Sequence, residues 1–234
     1  MKNFKLFTFF ALLSILVLSC NKDNEGTLEV EFLTTFKGQP VEMLREYPFQ
    51  DGTIAFTMIQ YYITNLEIED KDGASKIVLK DVDLIDASSS KVIRKNLDAG
   101  AYRNLSIGLG LDEFWGNSEP SSFSSNHPLS LDQNNFWIMS QSYIFVKIEA
   151  DYVVNGTKTS ALYHLGDNSF YSELNQDKAF SIYEGQIHSK KIRFNLDAFF
   201  EDIDLNTQEN THTVGNFSVA EDLMNKFVNA VSIQ

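Results

Sequence analysis

The chain is 234 residues long and carries 32 Asp and Glu against 19 Lys and Arg, a formal charge of −13. So acidic a balance speaks against nucleic acid and anionic membrane surfaces as partners. Nineteen Phe and nine Tyr beside only four Pro and twelve Gly speak against disorder, and a single cysteine leaves no basis for a disulfide framework.

Residues 1–20 read MKNFKLFTFFALLSILVLSC. Lys2 and Lys5 precede an apolar run from Leu6 to Leu18, the n-region and h-region of a secretory signal, too short to serve as a comfortable membrane span. Ser19 is a small residue suited to cleavage before Cys20, whose thiol would then take a diacylglycerol chain. The expected organisation is a signal peptide over 1–19, a lipidated Cys20 with a polar tether over 20–26, and one domain over 27–234. Loss of the signal removes two lysines and no acid, leaving 17 basic and 32 acidic residues. Two acyl chains hold such a protein on a membrane without insertion of the polypeptide. Once Cys20 is lipidated, no thiol remains for metal binding or nucleophilic catalysis.

Period-two alternation dominates the chain beyond the tether. Thr27–Phe36 sets Leu28, Val30 and Phe32 on one face and Glu29 and Glu31 on the other. Ala55–Glu69 is a longer β-rich run, Asp70-Lys71-Asp72-Gly73 a turn, and Ile77–Ile85 its expected hairpin partner. Tyr102–Leu111, Tyr143–Val154, Ser160–Leu165 and Lys190–Leu196 give further predicted strands, with Asn155-Gly156 as the turn between the two middle ones. Residues 113–135 form a long polar loop rich in Ser, Asn and Pro, and long ordered loops in compact domains are often functional. A helical turn is expected over Ala198–Asp202. One full helix is expected near the C-terminus: Ser218-Val219-Ala220-Glu221 reads as a capping box, followed by an apolar stripe of Ala220, Leu223, Met224, Phe227 and Val228. The expected fold class is all-β, a β-sandwich or partly open barrel with one short C-terminal helix.

Motifs for catalysis are absent from the sequence: no GxSxG, no HExxH, no phosphate-cradling glycine loop and no cysteine nucleophile. The expectation is a protein that is not an enzyme. Of the four histidines, His127 lies in the long loop and His188 in a polar turn. His164 ends an apolar strand, and His212 lies between two threonines before the helix. Taken singly, such histidines are more often hydrogen-bonded structural groups than ligands. A separate reading takes Phe114, Trp115 and Phe123 of the long loop as an exposed aromatic surface for glycans or a protein partner.

Several segments carry a family resemblance. Asn134–Glu149 (NNFWIMSQSYIFVKIE) resembles the pattern N-x-M-F-W-x-W-x-x-G-Y-x-F-x-K-L-E-G of the MbnP-like copper-binding proteins, named for their methanobactin-associated member. Tyr61–Leu66 is similar to their Y-Y-I-S-N-L, Ser106–Asp112 to their F-x-I-G-V-D, Tyr163–Gly166 to F-H-L-G, and Thr211–Thr213 to a late T-H-T. The five fragments fall in the family's order. Met139 stands where the pattern has its second tryptophan, Ser142 replaces a glycine, Ala150 replaces another, and the cysteines of the four-cysteine branch are missing. The resemblance therefore points to the cysteine-free branch. It implies an exported β-rich domain with copper as cofactor, held by His164 and His212 together with Trp137. In characterised relatives a di-haem cytochrome c peroxidase-like partner oxidises the tryptophan to kynurenine, and the resemblance implies Trp137 as the residue modified here. Met139 is a further candidate, as a soft thioether ligand for Cu(I) or as core filler on the face of Trp137. The segment Asn21-Lys22-Asp23-Asn24-Glu25 resembles the lysine-then-acid tag of many Bacteroidetes lipoproteins exposed on the outer membrane. The expected address is thus the outer membrane, at the cell surface or, alternatively, on the periplasmic leaflet.

Overall fold

The computed structural model describes residues 24–205, 210–213 and 215–234, so the expected signal sequence and Cys20 lie outside the described residues. The alternating pattern produces β1 (Glu25–Phe36), β2 (Gln39–Pro40), β3 (Tyr47–Phe49), β4 (Gly52–Asp70), β5 (Lys76–Asp86), β6 (Lys91–Asp98) and β7 (Gly100–Leu109). Next comes an excursion that holds α1 (Glu113–Gly116), two 3₁₀ turns (Pro120–Ser122 and Leu131–Gln133), β8 (Phe136–Trp137) and β9 (Ser142–Tyr143). The chain continues through β10 (Val146–Val154), β11 (Thr157–Leu165), β12 (Ser172–Gln176), β13 (Phe180–Ile182) and β14 (Ile187–Asn195). It closes with α2 (Leu196–Phe199), β15 (Asn210–His212), α3 (Phe217–Ala230) and β16 (Val231–Ile233). The fold is all-β, two curled sheets packed face to face with one substantial helix.

The first sheet runs β16-β14-β1, with β6 and β2 sharing the other edge of β1. Its β1–β14 pairing is parallel and joins residues 160 positions apart. The second sheet is organised along β4. β5 pairs with residues 60–69 on one side of that strand. On the other side β10 pairs with residues 53–61 and β7 with residues 63–70. β7 and β10 therefore lie end to end along the same edge of β4, and the excursion leaves the sheet where one ends and returns where the other begins. The junction is tight: the Gly110 amide donates to Tyr62 O and the Tyr62 amide to Phe145 O. Gly110 adopts φ +90°, and a Cβ there would lie 2.6 Å from the Phe145 ring, so both backbone and space require glycine.

Between the sheets sits an aromatic core. Phe36 of β1 meets Phe56 of β4 edge-on at 5.1 Å, and Phe194 of β14 and Tyr61 of β4 both pack on Phe227 of α3, at 4.9 and 5.4 Å. Leu28, Val30 and Phe32 point inward as the alternation requires, and Ala220, Leu223, Met224 and Phe227 form the buried stripe of α3. Burial of each such large side chain contributes about 1.5–3 kcal/mol.

Several local expectations are corrected. β1 already includes Glu25 and Gly26, which the sequence assigns to the tether. The helix begins at Phe217 with Asn216 as N-cap and no side-chain cap bond. The Ala220 amide already donates to Asn216 O, which places Ser218 inside the first turn and leaves no capping box. The short turn is Leu196–Phe199, two residues earlier than expected, with Asn195 accepting from the Asp197 amide. The run from Tyr143 to Val154 is interrupted at Ile144-Phe145, because the Phe145 amide crosses to Leu165 O. The long loop is also not irregular throughout. Asp112 caps α1, and Glu119 and Ser130 cap the 3₁₀ turns.

Candidate metal centre

The outer face of the second sheet carries the site. β11 and β15 pair in parallel, with Tyr163 opposite Thr211 and His164 opposite His212. Tyr163 and Thr211 are buried. Alternation then turns both histidines to the outer face, where their rings approach to 4.8 Å between centroids at 70°. The register extends across three further strands: His164 faces Lys147 of β10, Lys147 faces Gln60 of β4, and Gln60 faces Asp86 of β5. One polar row, Asp86–Gln60–Lys147–His164–His212, thus crosses five strands.

The excursion folds over this row and brings in the indole. Tyr62, facing outward beside Gln60, donates to Pro128 O at 2.8 Å and meets the Tyr143 ring edge-on at 6.0 Å. Tyr143 donates in turn to Leu129 O at 3.2 Å. Burial pushes both phenols above the ordinary tyrosine range, so they act as donors. β8 and β9 form a hairpin with Phe136 opposite Tyr143 and Trp137 opposite Ser142. Trp137, half-buried, lies 6.3 Å from His212 between ring centroids. At the far end Gly166 lets the returning chain close: a Cβ there would meet Tyr143 O at 2.0 Å. Its amide donates to Thr213 Oγ1, which ties the end of β11 to the segment bearing His212.

Two charged groups absent from the sequence-based candidates belong to this site. Glu149 Oε1 lies 2.8 Å from His164 Nε2. A carboxylate only accepts, so Nε2 carries the proton and Nδ1 is left as the ring's free donor atom to a metal. Burial lowers the pKa of His164 below the ordinary histidine value, with the Glu149 hydrogen bond opposing and nearby His212 reinforcing that shift. Lys147 is 4% exposed and donates from Nζ to Asn134 O at 2.5 Å; burial lowers its pKa. The available signal for both is alternation, which puts Lys147 and Glu149 on one face of β10 opposite His164 and Leu162.

The structure brings together Trp137, His164 and His212. Met139 stands two residues beyond the end of β8, in the turn of the hairpin, and is fully exposed at 101%. Among the described residues no set of three His, Cys, Asp or Glu side chains converges as a metal cage. The donor set is two imidazoles beside an aromatic side chain, with the carboxylate engaged in orienting one ring. Imidazole pairs suit copper, so these residues fit the metal that the resemblance implies.

The sequence model of the MbnP family matches residues 25–216. The chain belongs to the MbnP family. A solved structure, MbnP from Methylosinus trichosporium, superposes with a TM-score of 0.51 over 77% of this chain and 79% of that one, at 17% identity. At that identity the likeness speaks for a shared fold. No curated protein matches the sequence. The MbnP match ends at residue 216, so it takes in β15 and stops at the start of α3.

The aromatic residues of the long loop form a separate group in this MbnP-family fold. Phe123 stacks on His127 at 4.1 Å and 7°, and Trp115 is half-buried against the core, tilted to both at 6.4 and 6.2 Å. Phe114 projects from it, 73% exposed. His188 lies elsewhere, stacked on Phe180 at 5.0 Å.

Proposed function

We propose that this protein is a non-catalytic, lipid-anchored copper-binding protein of the outer membrane, held through Cys20 and serving copper acquisition or storage. The observation that carries the reading is the in-register pair His164–His212 with Trp137 packed beside it. Membership of the MbnP family supports copper as the metal. The partner is carried over from the sequence resemblance alone: a di-haem peroxidase-like protein that would modify Trp137. Imidazole nitrogens supply the metal contacts, and kynurenine would add an aromatic amine, a better donor than an indole nitrogen. Glu149 holds His164 in one tautomer, as carboxylates beside metal-bound histidines do.

The deciding experiment is the metal content of the lipoprotein purified from its native host, with mass spectrometry of the peptide containing Trp137. Copper near one per chain, lost in the His164→Ala and His212→Ala variants, is the expected result. Absence of copper there, and after incubation with Cu(I) and Cu(II), overturns the reading. Metabolic labelling with palmitate, abolished by Cys20→Ala, tests the anchor, and protease accessibility on whole cells separates the cell surface from the periplasmic leaflet.

A further inference from the structure

The indole reaches His212 from a hairpin that contributes few ladder bonds of its own, since β8 and β9 are two residues each. What fixes that hairpin lies just before it. Asn134 takes a left-handed conformation (φ 55°) at the end of the 3₁₀ turn Leu131–Gln133, and its carbonyl receives the Lys147 ammonium. Asn135, 2% exposed, donates from Nδ2 to Gln60 Oε1 at 3.0 Å, and Gln60 Nε2 donates to Asp86 Oδ2 at 2.8 Å. The Asn135 carbonyl accepts from the Ile144 amide and closes the hairpin base. Two consecutive residues are therefore bound to the polar row immediately before Phe136-Trp137, and Trp137 lies only about 7 Å of extended chain beyond Asn135.

Of these ties the one to Lys147 is the most exacting. A buried ammonium demands a partner, and a backbone carbonyl in a left-handed turn is a partner whose position is set by the chain itself. Lys147 also stands in register with His164, which stands in register with His212. The same strand position thus fixes both sides of the aromatic contact, the indole through Asn134 and the imidazoles through the ladder. We infer that Lys147 is the positioning residue of this site: its ammonium clamps the Asn134 carbonyl and thereby holds the Phe136–Tyr143 hairpin so that Trp137 lies against His212. The inference rests on the site reading only in its choice of Trp137 and the histidines. It concerns the metal-free geometry, so its failure and the failure of copper binding are separately visible.

The test uses the full domain in a Trp115→Phe background, where Trp137 is the single tryptophan. Lys147→Met keeps the apolar stem and removes the ammonium. The expected result is an increase of at least threefold in the acrylamide quenching constant of Trp137, with displaced ring-proton resonances of His212. Amide exchange in β1 and β14 should stay unchanged. Wild-type quenching and wild-type His212 resonances in the folded variant overturn the inference, and so does an equal loss of protection throughout β1 and β14, which would make Lys147 a general stability residue. Should Lys147→Met fail to fold, Lys147→Arg is read in the same way. Its longer side chain must displace the carbonyl, so shifted Trp137 and His212 signals support the clamp and unshifted ones overturn it.

Discussion

His164 and His212 stand opposite each other in a parallel ladder, rings 4.8 Å apart, while their inward-facing neighbours Tyr163 and Thr211 are buried beneath them. The pair is a product of register: a slip of β15 by one residue would turn the His212 ring toward the core and away from His164. Replacing either imidazole removes half of the nitrogen donors. His164→Ala and His212→Ala are each expected to weaken Cu(I) retention at least tenfold in competition with a chromophoric chelator. His212 is exposed, so His212→Ala should change stability by less than about 0.5 kcal/mol in urea unfolding.

Glu149 orients His164 without completing a three-residue metal cage. Removing an orienting carboxylate lowers metal affinity about 10–100-fold in comparable sites. Glu149→Ala is expected to fall in that range, and Glu149→Gln, which keeps an acceptor oxygen opposite Nε2, to recover most of the loss. The same chelator competition reads both; equal losses in the two variants would mean that charge, not ring orientation, is what Glu149 supplies.

Met139 offers a contrast. Its side chain stands in solvent at the hairpin tip. Met139→Ala is expected to leave the affinity for Cu(I) and the unfolding midpoint unchanged, and a tenfold loss of Cu(I) affinity would instead place the thioether in the coordination sphere.

Gly166 joins fold to site. A Cβ there would lie 2.0 Å from Tyr143 O and 3.0 Å from the Phe145 amide, both backbone atoms of the returning excursion. Forced overpacking of this kind costs about 1–3 kcal/mol. Gly166→Ala is expected to lower stability by that amount and to raise the accessibility of Trp137, because the strand that moves is the one continuous with β9. Acrylamide quenching beside thermal unfolding checks both at once.

The parts of the fold legible in the sequence are those set by local pattern. β1, β4, β5, β10 and β11 follow period-two alternation, and Asn155-Gly156 supplies the two positive φ angles, 50° and 77°, of the β10–β11 turn. The apolar stripe of α3 is equally plain. What escapes is non-local. β6 carries almost no pattern, since only Ile93 and Leu97 of its eight residues are buried. β15 is three residues long, and nothing within Asn210-Thr211-His212 says that it pairs in parallel with β11. The approach of His164 to His212 is therefore legible only through the family resemblance. The roles of Lys147 and Glu149 depend on which strand lies beside β10, which alternation along a single strand cannot state.

Protonation should act on this site in one direction. Burial lowers the pKa of His164 against the opposing pull of Glu149, and an unfolded histidine titrates near 6.5. Between the lowered folded value and about 6.5 the unfolded chain binds more protons than the folded one. The contribution of His164 to stability is then complete above about pH 6.5 and is lost as pH falls toward the folded value. Burial also lowers the pKa values of His127 and His188, which adds to the same slope. The urea midpoint of the metal-free domain is expected to be level from pH 8 to 7 and to decline as pH falls below about 6.5, less steeply in His164→Gln. Copper retention should decline over the same interval, because protons compete for the imidazole lone pairs. A midpoint that rises as pH falls through this window would mean that Glu149 outweighs burial and that the folded ring is more basic than the free one.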